Sequence, residues 1–208
     1  MASINVNEIY ETVRGIANKA NNVFTPAEFN RVAKLVSLEL FKQKKKAYAI
    51  NQHVSESLHH LITPDDPLTL TSGVAPTPAT KEQIIAIKSG THVNVERCEL
   101  DRFSERIKSS IFPPVAAYPI YRELQNSIEF YPTNLTDVKI SYLRLPATPL
   151  WNYTVVSSRP VYASSGSVHF EWQEQERETI VNMILSYLGI TIREPQLTQF
   201  AELQEQKG

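Results

Sequence analysis

The chain has 208 residues, 42% of them hydrophobic and 21% charged, with a formal net charge of −1. A domain of that length buries about 70% of the surface its unfolded chain exposes, so a substantial core is available without covalent staples. The near-zero charge sets up no global field towards nucleic acid or anionic lipid. The single Cys98 excludes an internal disulfide and a cysteine-rich zinc cage.

No run approaches the ~18 consecutive apolar residues that span a bilayer. The opening Met-Ala-Ser-Ile-Asn-Val lacks a basic region followed by an apolar run, so the expectation is cytosolic synthesis with no membrane contact. In chain order, Val6 to Lys19 reads as a first helix, with Val6, Ile9, Tyr10, Val13 and Ile16 or Ala17 on its apolar side. Asn21 and Asn22 break it. Thr25 to Ala47 reads as a long amphipathic helix with Thr25 as N-cap, Pro26 at the first helical position and Glu28 three residues after the cap. Phe29, Val32, Val36 and Leu40 recur at spacings of three and four, widened by Ala33 and Phe41. Lys42, Lys44, Lys45 and Lys46 suit the negative end of its dipole. So short a connection predicts an antiparallel helix pair.

Thr63 to Thr80 is the sharpest break in pattern. Pro64, Pro67, Pro76 and Pro78 interrupt it, which predicts an extended loop or edge hairpin, read here as a projecting arm. Within it Leu68, Leu70 and Val74 alternate like a short strand. From Lys81 the period becomes two, giving strands over Gln83–Lys88 and His92–Cys98 around the Ser89-Gly90 turn. Leu100, Phe103, Ile107 and Ile111 share a helical face, so a short helix is expected over Glu99–Ser110, stopped by Pro113-Pro114. Tyr118–Leu124 and Ser127–Tyr131 form a predicted hairpin closed by Gln125-Asn126, and Val138–Arg144 a further strand. Trp151–Arg159 is expected to cross to another edge. Glu174 to Leu188 reads as a helix with Ile180, Val181, Ile184, Leu185 and Leu188 on its apolar face, capped by Gly189. A last amphipathic segment, Pro195–Gln204, carries Leu197, Phe200 and Ala201. Helices, then short antiparallel strands with one inserted helix, then helices describe an α+β chain, read as one domain over 1–208.

No catalytic, cofactor or metal site emerges from the motifs. His53, His59 and His60 form the sole histidine cluster, with no cysteine or carboxylate completing a ligand set. His169-Phe170-Glu171 matches the start of a zinc-deaminase motif without its Pro-Cys-x-x-Cys. The six glycines make neither a dinucleotide fingerprint nor a phosphate loop, and Ser165-Gly166-Ser167 is no nucleophile elbow. Asp65-Asp66 sits in the proline-rich stretch without the marks of an acid/base pair. The Lys44-Lys45-Lys46 run is a candidate phosphate contact, set against the plainer reading of a solvated helix end. Residues 1–62 hold eight Lys/Arg against five Asp/Glu, and residues 163–208 three against seven. Copies meeting head to tail would bring these opposite signs together.

Several segments taken together resemble a group of virion structural proteins from crAss-like and related tailed phages of Bacteroidota-type hosts. They are the opening Ile9-Tyr10, Phe24-Thr25-Pro26-Ala27-Glu28-Phe29-Asn30 and Leu38-Glu39-Leu40-Phe41. Central ones are Phe112-Pro113-Pro114, Tyr118-Pro119-Ile120-Tyr121 and Ile128-Glu129-Phe130-Tyr131-Pro132. Ser141-Tyr142-Leu143-Arg144-Leu145-Pro146, Pro149-Leu150-Trp151 and Ile180 to Ile190 complete the set, in order along nearly the whole chain. Thr63–Thr80 finds no counterpart. The resemblance implies a non-enzymatic ring, or neck, component: a homo-oligomer, twelvefold, stacked beneath the portal and connecting capsid to tail. Its implied partners are the portal, adjacent ring or tail proteins, and packaged DNA passing through the channel without specific recognition. Candidate interface or DNA-facing residues are Lys44, Lys45, Lys46, Pro64, Leu68, Leu70, Pro76 and Phe200. A tail-hub or other virion component, and a packaging accessory that binds nucleic acid, are the competing expectations.

Overall fold

A computed structural model describes residues 3–19, 23–48, 58–90 and 93–189. It is mixed α+β, with four α-helices and three sheets among the described residues. Where the sequence reading takes 1–208 as one domain, backbone contacts gather the chain into two compact units: Met1–Ser57 with Pro146–Gly208, and Leu58–Leu145.

The first unit opens with α1 (Val6–Lys19) and α2 (Pro26–Tyr48), both where the apolar period places them. Ala17 rather than Ile16 completes the buried side of α1, alongside Val6, Ile9, Tyr10 and Val13. The start of α2 is a reciprocal cap. The Thr25 N–H donates to Glu28 Oε2 at 2.7 Å, and the Glu28 N–H donates to Thr25 Oγ1 at 3.2 Å. These bonds favour the ionised carboxyl and hold Glu28 below the usual carboxylate range. A depressed carboxylate stabilises the fold above its ordinary titration range, and that contribution is lost as pH falls through the folded-state value. Thr25→Ala removes the hydroxyl that accepts the Glu28 N–H at the helix start, a loss of N-cap expected to cost about 1 kcal/mol. The Thr25 hydroxyl also donates to the Glu28 carboxylate at 2.8 Å, a bond weakened on protonation, so the difference from the parent should shrink in acid, as urea unfolding at neutral and acid pH will record.

The second unit contains β1 (Ile62–Leu68), β2 (Val74–Pro76), β3 (Lys81–Ser89), β4 (Val93–Asn94), β5 (Glu96–Arg97), α3 (Leu100–Ile107), β6 (Ile120–Glu123), β7 (Ser127–Tyr131) and β8 (Val138–Arg144). One sheet has the order β1-β8-β3-β4 and the other β2-β7-β6-β5. All pairings are antiparallel except β5 with β6. Ala75, Ile87, Val95, Tyr121, Ile128, Phe130, Val138 and Ile140 come from both sheets and form one apolar core.

Of the two forms expected for residues 63–80, extended loop or edge element, the strands lie at sheet edges: β1 is an edge strand on β8, and β2 an edge strand on β7. Prolines are compatible with strands at an edge, where an N–H faces no neighbour, and the β1 ladder shifts register between Thr63 and Asp66. The stretch 92–98 is not one strand. β4 pairs with β3, β5 pairs with β6, and between them the Val95 N–H donates to the Ile87 carbonyl at 2.9 Å, so the chain steps from one sheet to the other. His92 lies outside the described residues. Helix α3 is shorter than Glu99–Ser110, and of its expected face only Phe103 is buried, beneath the Arg122 guanidinium at 4.5 Å.

The chain then returns to the first unit. Trp151–Arg159 is not a crossing strand but half of a separate hairpin, β9 (Tyr153–Val156) with β10 (Arg159–Tyr162). Its two-residue turn is Ser157-Ser158, both at positive φ (50° and 61°), which matches the twist a tight hairpin needs. Glu174–Glu176 makes a 3-10 turn into α4 (Arg177–Tyr187). Gly189 caps α4 at φ +72°, donating to the Ser186 carbonyl at 3.0 Å. Helix α4 lies against both α1 and α2, burying Ile180, Val181, Ile184 and Leu185.

Candidate interaction surfaces

The root of the β9–β10 hairpin is clamped by the opening helices. Asn30 on α2 accepts from the Trp151 N–H through Oδ1 at 2.8 Å and donates through Nδ2 to the Trp151 carbonyl at 3.1 Å. The Trp151 indole N–H donates to Asn7 Oδ1 on α1 at 2.9 Å. Its ring stacks on Tyr10 with centroids 3.9 Å apart and planes at 17°. Tyr153 and Tyr162 extend this aromatic stack outward at 5.6 and 5.8 Å from Trp151. Beyond the clamp the hairpin is open to solvent: Val155 is 66% exposed, Val156 55% and Val161 47%.

The second unit carries an apolar loop of its own. Ile111 is 90% exposed, and Phe112, Val115 and Tyr118 are also open to solvent. The loop is nonetheless built. The Tyr118 N–H donates to the Val115 carbonyl at 2.9 Å, the Phe112 N–H to Ser109 Oγ at 3.1 Å, and the Phe112 and Tyr118 rings sit 6.1 Å apart. Exposed apolar groups concentrated on ordered features mark interaction surfaces more reliably than scattered single ones.

The residues singled out in the sequence are dispersed. Lys44 is paired with Glu176 at 2.6 Å, within its own unit. Arg177 bonds Glu8 at 2.6 Å and also Glu174. The first pair joins the majority charges of the two chain ends and the second joins their minority charges, so the excess of each sign at the two ends is unchanged. Lys45 is half-buried and Lys46 exposed on the last turns of α2. Pro64 and Pro76 are exposed on edge strands, whereas Leu68 and Leu70 pack against the second unit's core. Phe200, the Pro195–Gln204 segment and His53 lie outside the described residues.

The weak motifs have structural tasks. His169 Nδ1 accepts the Val6 N–H at 3.2 Å at the start of α1, and Glu171 Oε2 accepts the Ala147 N–H at 2.8 Å. Ser167 Oγ donates to the Ala163 carbonyl and accepts from the Asn152 N–H at 3.0 Å, latching the segment after the hairpin. Asp65 pairs with Lys88 at 3.6 Å, and Asp66 accepts from the Tyr142 hydroxyl at 3.4 Å. Burial pushes the half-buried Cys98 thiol up, away from the thiolate a nucleophile needs.

Among the described residues no group of three His, Cys, Asp or Glu side chains is placed to hold a metal ion, and no helix is long and apolar enough to cross a membrane. Comparison with protein-family models and with curated proteins returns no match.

Proposed function

We propose that this chain is a non-enzymatic virion structural protein of a tailed phage, forming a homo-oligomeric, twelvefold ring in the head–tail connector below the portal. The observation that supports assembly is the pair of uncovered apolar features, the β9–β10 hairpin on one unit and the Ile111–Tyr118 loop on the other. A ring subunit needs two different surfaces, because a heterologous contact joins one patch to another around the axis. The resemblance set out above supplies the particle and the position within it. In this reading α1 and α2 form an antiparallel hairpin that frames the first unit. Lys45 and Lys46, with Pro64, Pro76 and Phe200, are offered to neighbouring ring or tail proteins, or to DNA passing through the channel without specific recognition.

Native mass measurement of the purified protein, alone and with its portal, is the test. The expected result is a species at twelve times the 23.6 kDa chain, and its presence at the neck in images of the virion. A protein that stays monomeric with its portal and is absent from purified virions overturns the reading. One found at the distal tail moves it to a tail component.

A further inference from the structure

A β-sheet edge exposes a row of backbone donors and acceptors, and proteins blunt such edges with prolines, charges, bulges or short strands. Among the described residues this chain blunts every edge but one. On β1 stand Pro64, Pro67 and an irregular ladder at Asp65; β2 has three residues and ends in Pro76; β4 and β5 have two residues each; β10 contains Pro160. The exception is β9, Tyr153-Thr154-Val155-Val156, which has neither proline nor charge and consists of aromatic and β-branched residues suited to a strand.

The ladder fixes which groups of β9 face outward. Val156 and Arg159 flank the two-residue turn and exchange hydrogen bonds, and two residues back Thr154 pairs with Val161. The same alternation continues where the Ala163 N–H donates to the Asn152 carbonyl at 2.9 Å. Tyr153 and Val155 therefore direct their N–H and C=O away from β10. Opposite Val155 stands Pro160, so the outer side of β10 lacks a donor at the level where β9 presents one.

We propose that β9 pairs antiparallel with β9 of a second copy of this chain, forming a four-stranded sheet in the order β10-β9-β9-β10 across a two-fold axis. A second copy is the occupant because the edge is self-complementary. With Thr154 on the axis opposite the partner's Thr154, Tyr153 exchanges both backbone bonds with the partner's Val155, and Val155 with the partner's Tyr153. No charged side chain enters the new ladder, since Arg159 stays on the outer strand. The blunted edges elsewhere leave β9 itself as the described strand of this chain able to receive it. This contact is isologous, whereas ring closure is heterologous, so it goes beyond the ring reading and stands or falls separately.

The test uses the full chain with Cys98→Ser as background. Thr154 pairs with itself at a non-hydrogen-bonded site, where Cα atoms approach to about 4.5 Å, within disulfide reach. Thr154→Cys is expected to give an oxidised, covalent two-chain product, while Val155→Cys alone does not and Val155→Cys mixed with Tyr153→Cys does. Val155→Pro removes an outward N–H and no hydrogen bond to β10, so it should keep the circular dichroism and tryptophan emission of the parent while halving the mass of the two-fold species. Failure of Thr154→Cys to link, equal self-linking of Val155→Cys, or an unchanged mass for Val155→Pro overturns the pairing. Closed rings that survive Val155→Pro with Thr154→Cys unlinked overturn the pairing and leave the ring reading intact. A stable two-chain species with no larger assembly does the reverse, and a monomer under all conditions overturns both.

Discussion

Trp151→Ala is expected to destabilise the first unit by about 3–5 kcal/mol, the range for removing a large buried aromatic. Trp151 is 2% exposed and fills the space between Tyr10 and the two hairpin tyrosines. Its loss opens a cavity and leaves Asn7 Oδ1 without its indole donor, while the bonds from Asn30 run to the Trp151 backbone and survive the change. Trp151→Phe keeps part of the ring contact but loses the indole N–H and the smaller ring, so its loss should fall between those of parent and alanine variant. Both tryptophans of the chain, Trp151 and Trp172, lie in the first unit, so the remaining Trp172 reports that unit's unfolding. Tryptophan-detected urea unfolding should show an early transition for the alanine variant and an intermediate one for phenylalanine. An alanine variant as stable as the parent would mean that Trp151 is not the keystone of the hairpin root.

The second large effect belongs to Gly73→Ala, in the other unit. Thr71 and Val74 exchange hydrogen bonds of 2.8 and 3.0 Å across a turn whose central residues, Ser72 and Gly73, have φ of 52° and 81°. The Gly73 carbonyl also accepts the Phe130 N–H at 2.8 Å, tying the turn to β7. A Cβ here would lie 2.8–2.9 Å from the Thr133 side chain and its Cα, so backbone has to move. Left-handed strain and overpacking together predict a loss of about 2–4 kcal/mol. Gly90 is the control: φ is +61° and a Cβ meets nothing within 4 Å, so Gly90→Ala should cost only about 1 kcal/mol. Far-ultraviolet circular dichroism during urea unfolding follows both variants. Equal losses at the two glycines would show that the Thr133 contact carries no weight.

The helices were legible because their signals are local. The capping box at Thr25 and Glu28, the period of α1 and α2, and Gly189 after α4 each act within a few residues. The β6–β7 hairpin is equally local. What escaped the sequence depends on distance or on unusual conformation. Nothing near Val138–Arg144 announces that it leaves the β6–β7 sheet to lie between β1 and β3. Prolines in β1 conceal a strand because edge and loop tolerate proline alike. The β9–β10 turn is invisible to a search for Asn-Gly or Gly-containing turns, since two serines adopt the left-handed region. The candidate site divides in the same way. The charge of Lys44 is plain in the sequence, but its partner Glu176 belongs to the far end of the chain. The exposure of Val155 is a fact about missing neighbours, which no residue type encodes.

The insertion of Leu58–Leu145 within the other unit sets an order of events during synthesis. α1 and α2 leave the ribosome with the apolar faces that α4 will cover, yet α4 is made only after the whole inserted unit. At about 5–20 residues per second the delay is on the order of 10 s. The inserted unit is continuous in sequence and can close its own core meanwhile. Nascent chains paused before Arg177 should therefore hold a protease-resistant middle and a protease-sensitive, chaperone-binding N-terminal pair of helices, which α4 covers last.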